Sequence, residues 1–292
     1  MRNRFSLIAL CLGGMLATSA SGVPIYNNLA PNGSMAVATR PDSPGGSEIE
    51  AGDDFVLGAQ TIISSASFVG LIVGGTGTPA VSQIVAEMYR VFPLDSNAAR
   101  IPNVPTRANS PSDVAFDSRD SAGSGLTFTS SVLNPTFTVL NSVQPGGIHQ
   151  FPGQTTGGNG PLTGQEVQIN LTFTTPFDLQ ANHYFFVPLV QLPNGAQFYW
   201  LSASRPITGA GTTPFPVGVT DLQAWTRDEA LDPDWLRVGT DIVGGTTPPT
   251  FNTAFSLDGT VLPEPATVLG VFAGLAFIGF RRHFAAIRKS AS

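Results

Sequence analysis

Carboxylates supply most of the chemistry this sequence could perform. Oxygen-rich segments occur at Asp53-Asp54, at Asp113 with Asp117-Ser118-Arg119-Asp120-Ser121, and at Asp232-Pro233-Asp234. Hard cations such as Ca2+ prefer such oxygen ligands, although none of these segments has EF-hand or glycine-rich nonapeptide spacing. Asp117 and Asp120, followed by Gly123 and Gly125, are the pair best suited to one structural Ca2+. A solvated turn in which Arg119 neutralises its neighbours accounts for the same residues more simply, so no cofactor is required.

Paired carboxylates can also cleave glycosides, one acting as acid and the other as base or nucleophile. The glutamates available for that are Glu48, Glu50, Glu87, Glu166 and Glu229. Glu48 and Glu50 share a strand face by spacing, but Glu-Ile-Glu is a common exposed pattern. His149 and His183, the only histidines before the C-terminal tail, have no partner at zinc-ligand spacing and read as structural. No G-x-S-x-G elbow, phosphate loop or dinucleotide fingerprint is present. The expectation is a non-enzymatic protein, with a polysaccharide hydrolase or lyase as the alternative.

Aromatic side chains are the remaining handle. Tyr199, Trp200, Trp225 and Trp235 lie in the second half of the chain. Such rings can stack against the C–H face of a pyranose when exposed, and they fill cores when not. Tyr199 and Trp200 are adjacent, so on a strand they point to opposite faces and one of them can be exposed, although the core is the favoured place for each tryptophan.

The elements that must position these residues read as strands. With 32 glycines and 24 prolines in 292 residues, and few Lys, Glu and Leu, the composition favours short strands joined by turns. Val167, Ile169, Leu171 and Phe173 alternate with Gln168, Asn170, Thr172 and Thr174, as in a half-buried strand. Ile84, Ala86 and Met88, with Val85, Tyr89 and Val91, form a strand apolar on both faces except at Glu87 and Arg90, hence central. Phe55–Leu57, Ser65–Val73, Leu126–Val132, Phe137–Val143, Tyr184–Leu192, Phe198–Leu201, Leu222–Thr226, Trp235–Val238 and Ala254–Leu257 bring the total to about eleven strands. No amphipathic helix of three turns appears between them. The expected fold is mainly β, an antiparallel two-sheet sandwich, jelly-roll-like, over residues 23–258. Thr175-Pro176-Phe177-Asp178-Leu179 with Ala181–Val187 resembles the late hairpin of exported bacterial β-sandwiches, carbohydrate-binding modules among them. Phe177, Leu179, Tyr184 and Phe186 should then enter the core.

Both ends read as sorting segments. Arg2 and Arg4, the apolar run Phe5–Leu16 and small residues to Gly22 make residues 1–22 a secretory signal peptide. Cys11, within it, is the single cysteine, so the exported chain has no disulfide and no thiolate chemistry. At the other end, a linker 259–265 carries Pro263-Glu264-Pro265, an uncharged run 266–280 follows, and 281–292 is a basic tail starting at Arg281-Arg282. Fifteen helical residues reach about 22 Å against a hydrocarbon core of roughly 30 Å, a gap that flanking apolar residues and snorkelling arginines can close. Gly270 and Gly274 form a G-x-x-x-G face for helix packing. The basic residues orient the tail to the cytoplasm and the body outward.

This tail resembles the PEP-CTERM sorting signal of exported bacterial proteins. The matching residues are Pro263, Glu264 and Pro265, the apolar helix 266–280, and Arg281 and Arg282. The resemblance implies export by the Sec translocon, cleavage by signal peptidase, and transient anchoring by a transmembrane helix. A membrane-embedded exosortase would then remove the tail, leaving the body at the cell surface or in an exopolysaccharide matrix. The twelve residues after the helix are longer than the bare arginine cluster often seen in that family. A structural or polysaccharide-binding role fits such a location.

Charge agrees with export. Between Val23 and Pro265 there are eight arginines, no lysine and all twenty acidic residues, a formal charge of −12. A body this acidic is repelled by phosphate backbones, which excludes nucleic acid as a routine partner.

Overall fold

The computed structural model describes residues 23–43, 46–75, 77–99, 109–149, 155–204, 222–231 and 235–263. The leader 1–22, Glu264, Pro265, the 266–280 run with Gly270 and Gly274, and Arg281 and Arg282 lie outside them. Among the described residues no helix is long and apolar enough to cross a membrane.

The described residues form fourteen strands. In chain order they begin with β1 (Val23–Asn28), β2 (Pro31–Ala38), β3 (Ile49–Leu57), β4 (Thr61–Ile72) and β5 (Gln83–Arg90). Next come β6 (Asp117–Asp120), β7 (Leu126–Val139), β8 (Asn141–Val143), β9 (Leu162–Leu179) and β10 (Asn182–Gln191). β11 (Phe198–Ala203), β12 (Trp225–Asp228), β13 (Leu236–Arg237) and β14 (Phe255–Val261) complete the set.

They form two sheets, antiparallel except where β2 runs parallel to β8. The first is organised on β4. One edge of β4 pairs with β9 along its length, and β9 in turn carries β7. On its remaining pairings β4 takes β14 up to Phe68 and β11 from Gly70 onward. β1 extends from β14, and β2 with β8 from β11. The second sheet has the order β13-β12-β3-β10-β5-β6.

The core lies between the sheets and is aromatic at its centre. Phe186 of β10 stacks on Phe255 of β14 at 5.5 Å and meets Trp200 of β11 and Phe68 of β4 edge-on at 6.0 and 6.4 Å. The expected alternation of β9 holds: Val167, Ile169, Leu171 and Phe173 are buried, and Thr172 and Thr174 are exposed. Phe177, Leu179, Tyr184 and Phe186 are buried as the sequence implied. They do not form a hairpin, however. β9 belongs to the first sheet and β10 to the second, so the turn at Gln180-Ala181 is a corner between layers.

Two further expectations are corrected. Asp117–Asp120 is not an oxygen-rich turn but the edge strand β6, with Asp120 opposite Val85 and Asp117 opposite Met88. Its sequence carries no apolar alternation, because an edge strand half exposed on both faces needs none. Tyr199 and Trp200 are both buried, at 5% and 0% exposure, since β11 is flanked by β4 and β2 and both of its faces are covered.

Candidate functional site

The outer face of the second sheet is not a bare polar surface. Period-two alternation sends Ile84, Ala86 and Met88 of β5 into the core and turns Val85, Glu87 and Tyr89 outward. On β10 the outward set is Phe185, Val187 and Leu189, and on β12 it includes Trp225. These residues pack with Leu222 and Trp235 into a second, smaller apolar cluster. Gly52 on β3 makes room for it: a Cβ there would sit 3.1 Å from Val187 Cγ2 and 3.8 Å from Trp235 Cζ3.

Charge is enclosed at the border of this cluster. Glu50 of β3 is fully buried and takes the guanidinium of Arg227 from β12 through both carboxylate oxygens. Arg227 also donates to the Asp113 carbonyl at 2.9 Å, and its guanidinium lies 4.7 Å from the centre of the Trp235 ring. Trp235 is itself fixed by donating Nε1–H to the Ser112 carbonyl at 3.0 Å. Tyr89 donates its hydroxyl to Glu50, and Glu87 Oε2 stands 3.1 Å from that same hydroxyl oxygen. Glu48, just before β3, completes a trio: one carboxylate oxygen each of Glu48, Glu50 and Glu87 lie within 4.8 Å of one another. A shallow depression beside them is lined by Asp42, Ser47, Asp113, Arg227 and Glu229.

The electrostatics follow from three acids sharing one guanidinium. Burial, reinforced by Glu50 and Glu48, pushes the Glu87 carboxyl up to about 8. Burial, then Glu50 and Glu229, pushes Glu48 up to about 7. Tyr89 is raised by burial and by the negative charge of Glu50 and Glu87. For Arg227 burial works against the charge, but Glu50 outweighs it and the guanidinium stays protonated. At neutral pH a protonated Glu87 can donate to Tyr89 Oη while Tyr89 donates to Glu50. That ordering gives every proton one acceptor.

Chemically, the cluster can hold and pass protons between Glu87, Tyr89 and Glu50. Each glutamate could also offer one oxygen to a divalent cation, though both oxygens of Glu50 already serve Arg227.

Four of the five glutamates considered as glycoside-cleaving acids converge here: Glu48, Glu50 and Glu87 directly, and Glu229 through its charge on Glu48. Glu166 stands apart on β9, opposite Leu71 of β4. Arg227 was not legible in advance, because nothing in its surroundings marks it as the partner of a residue 177 positions away.

The proposed calcium pair is not brought together. Asp117 and Asp120 are three apart on a strand and so face opposite ways. Asp117 is bound by Arg119 at 2.5 and 3.0 Å, and Asp120 accepts from Gln83 Nε2 at 3.0 Å and from the Ala122 N–H at 2.8 Å. The aromatics proposed for sugar stacking are enclosed as well. Trp200 and Trp225 are fully buried, and Trp235 is 2% exposed. Stacking needs an open ring face, which none of them presents. His183 pairs with the buried Asp54 at 2.5 Å, and Asp54 also accepts from the Leu222 N–H at 2.8 Å. That is a structural tie between β10, β3 and the covering segment.

No protein-family model, curated protein or solved structure matches this chain.

Proposed function

We propose that this chain is an exported, PEP-CTERM-sorted protein whose β-sandwich body serves at the cell surface or in an exopolysaccharide matrix, as a structural or polysaccharide-binding component without catalytic activity. The carrying observation is the order of segments: secretory leader, acidic body, Pro263-Glu264-Pro265, apolar run and Arg281-Arg282. The arrangement of the body supports it. β1 starts at Val23 and pairs with β14, which ends at Val261, with Val23 opposite Gly259. The first and last described strands therefore start and finish at one end of the sandwich, so cuts before Val23 and after Val261 would leave every strand pairing in place. Repeated passage of the chain between the two sheets favours a jelly-roll-like description of the sandwich.

Mass spectrometry of the C-terminus, from culture medium and cell envelope, tests the sorting. The expected product ends near Pro263–Pro265. Intact protein ending at Ser292 in both fractions, or retention of residues 1–22, would overturn the reading.

A polysaccharide hydrolase or lyase is the second reading, and Glu48 and Glu87 favour it. Both carboxyls are raised toward the neutral range, as a general acid requires, and Arg227, which binds the neighbouring Glu50, lines an open depression. Release of new reducing or unsaturated ends from matrix polysaccharide, abolished by Glu87→Gln, would establish it. Binding without product would leave the first reading standing.

A further inference from the structure

β7 is an outer strand of the first sheet, and among the described residues it lacks the protection that the neighbouring edge has. Within β9, residues up to Phe173 are covered by β7, and the exposed continuation is capped: Arg119 donates to the carbonyls of Thr175 at 2.5 Å and Pro176 at 3.1 Å. Among the described residues nothing pairs with or caps the outer edge of β7 from Leu126 to Val132. Sheet edges of this kind are ordinarily guarded by Lys, by inward charges or by covering loops. The Leu126–Val132 edge of β7 carries no charge, and among the described residues nothing covers it. Pro135 and the register shifts at Asn134 confine its regular part to Leu126–Val132.

The charge distribution says what fits it. From Ser121 to Gln165 the sequence contains no Asp, Glu, Lys or Arg, although the body as a whole is strongly acidic. A second copy is repelled from an acidic surface but not from this edge. Thr127, Thr129 and Ser131 are exposed, and Val132 and Leu133 leave apolar surface at the end of the stretch. Antiparallel pairing about Thr129 is self-complementary, placing 126 opposite 132 of the other copy, as a two-fold interface requires.

We infer that the Leu126–Val132 edge of β7 pairs with the same edge of a second copy, joining two first sheets into one continuous sheet. The inference is independent of how the chain ends are processed.

The test uses the full chain in mild detergent, with Cys11→Ser removing the native thiol. A short bismaleimide should cross-link Thr129→Cys into a dimer and leave Ala98→Cys, in an exposed loop, as monomer. Light scattering should give twice the chain mass for the parent and the monomer mass for Thr129→Lys, because like charges would then face each other. Circular dichroism of Thr129→Lys should be unchanged, which separates lost pairing from lost folding. A monomeric parent would overturn the inference. So would equal cross-linking at both positions, or a dimer that survives Thr129→Lys and dissolves with Gly270→Leu, since the apolar run would then hold the copies together.

Discussion

Arg227 grips Glu50 through both carboxylate oxygens, and this leaves Glu48 and Glu87 beside a charge already neutralised. The consequence is proton uptake rather than further ion pairing. One guanidinium compensates one carboxylate at low cost, whereas a second and third negative charge in a partly desolvated site are each opposed by burial and by Glu50. Glu87 and Glu48 therefore retain protons in the folded state at a pH where the unfolded chain has released them.

Stability should fall as pH rises through this window. Both folded-state values lie above the unfolded 4.5, so the stabilisation is complete below about pH 4.5 and is lost as pH passes about 8. Glu87→Gln should remove most of that slope and raise stability at pH 8.5 by about 2 kcal/mol, after allowance for solvent screening. Urea midpoints of parent and variant from pH 5 to 8.5 measure it. Parallel curves would mean that Glu87 ionises normally.

Truncating Arg227 should be far more damaging than removing the pair. Arg227→Met leaves the fully buried Glu50 without its cation, a loss of about 3–5 kcal/mol. Arg227→Met with Glu50→Leu should recover most of it, since neither a stranded charge nor a cavity remains. Urea denaturation of the two single variants and the double one gives the coupling. A double variant as unstable as Arg227→Met would show that packing against Trp235, not charge, dominates.

How much was readable in advance depended on range. The alternation of Val167 to Phe173 predicts β9, and apolar residues on both faces predict that β5 is interior, because period two is a local property. β1 and β2 were missed: Pro24, Pro31 and Gly33 interrupt their patterns, and their pairing with β14 and β11 is set by residues at the far end of the chain. The carboxylate cluster was half legible. Its glutamates could be named, but their convergence needs β3, β5 and β12 to be ordered around β10, which no local signal specifies. For Tyr199 and Trp200 adjacency fixes opposite directions, while the number of layers around them is a tertiary outcome.

A glycine on β4 sets a close approach that can be tested alone. A Cβ on Gly70 would lie 1.9 Å from Phe198 Cζ, because the Phe198 ring of β11 crosses directly over that position. Gly70→Ala must displace the ring from its edge-on contact with Phe68, at 5.8 Å, and should cost about 1–3 kcal/mol. Phe198→Leu should cost less in the Gly70→Ala background than in the parent. Thermal unfolding of the four proteins in this cycle gives the coupling, and additive losses would contradict the contact.

The enclosed tryptophans bear on polysaccharide recognition. Trp200, Trp225 and Trp235 are held by packing, and Nε1 of Trp200 donates to the Ala254 carbonyl at 3.0 Å inside the core. Acrylamide should quench their fluorescence weakly, and titration with exopolysaccharide should leave the emission maximum unmoved even where binding occurs. The expected binding surface is then polar, so affinity should persist in Trp235→Phe once that variant is shown to fold. A saturable emission shift on adding polysaccharide, lost in one tryptophan variant and retained in the others, would return that ring to the binding site.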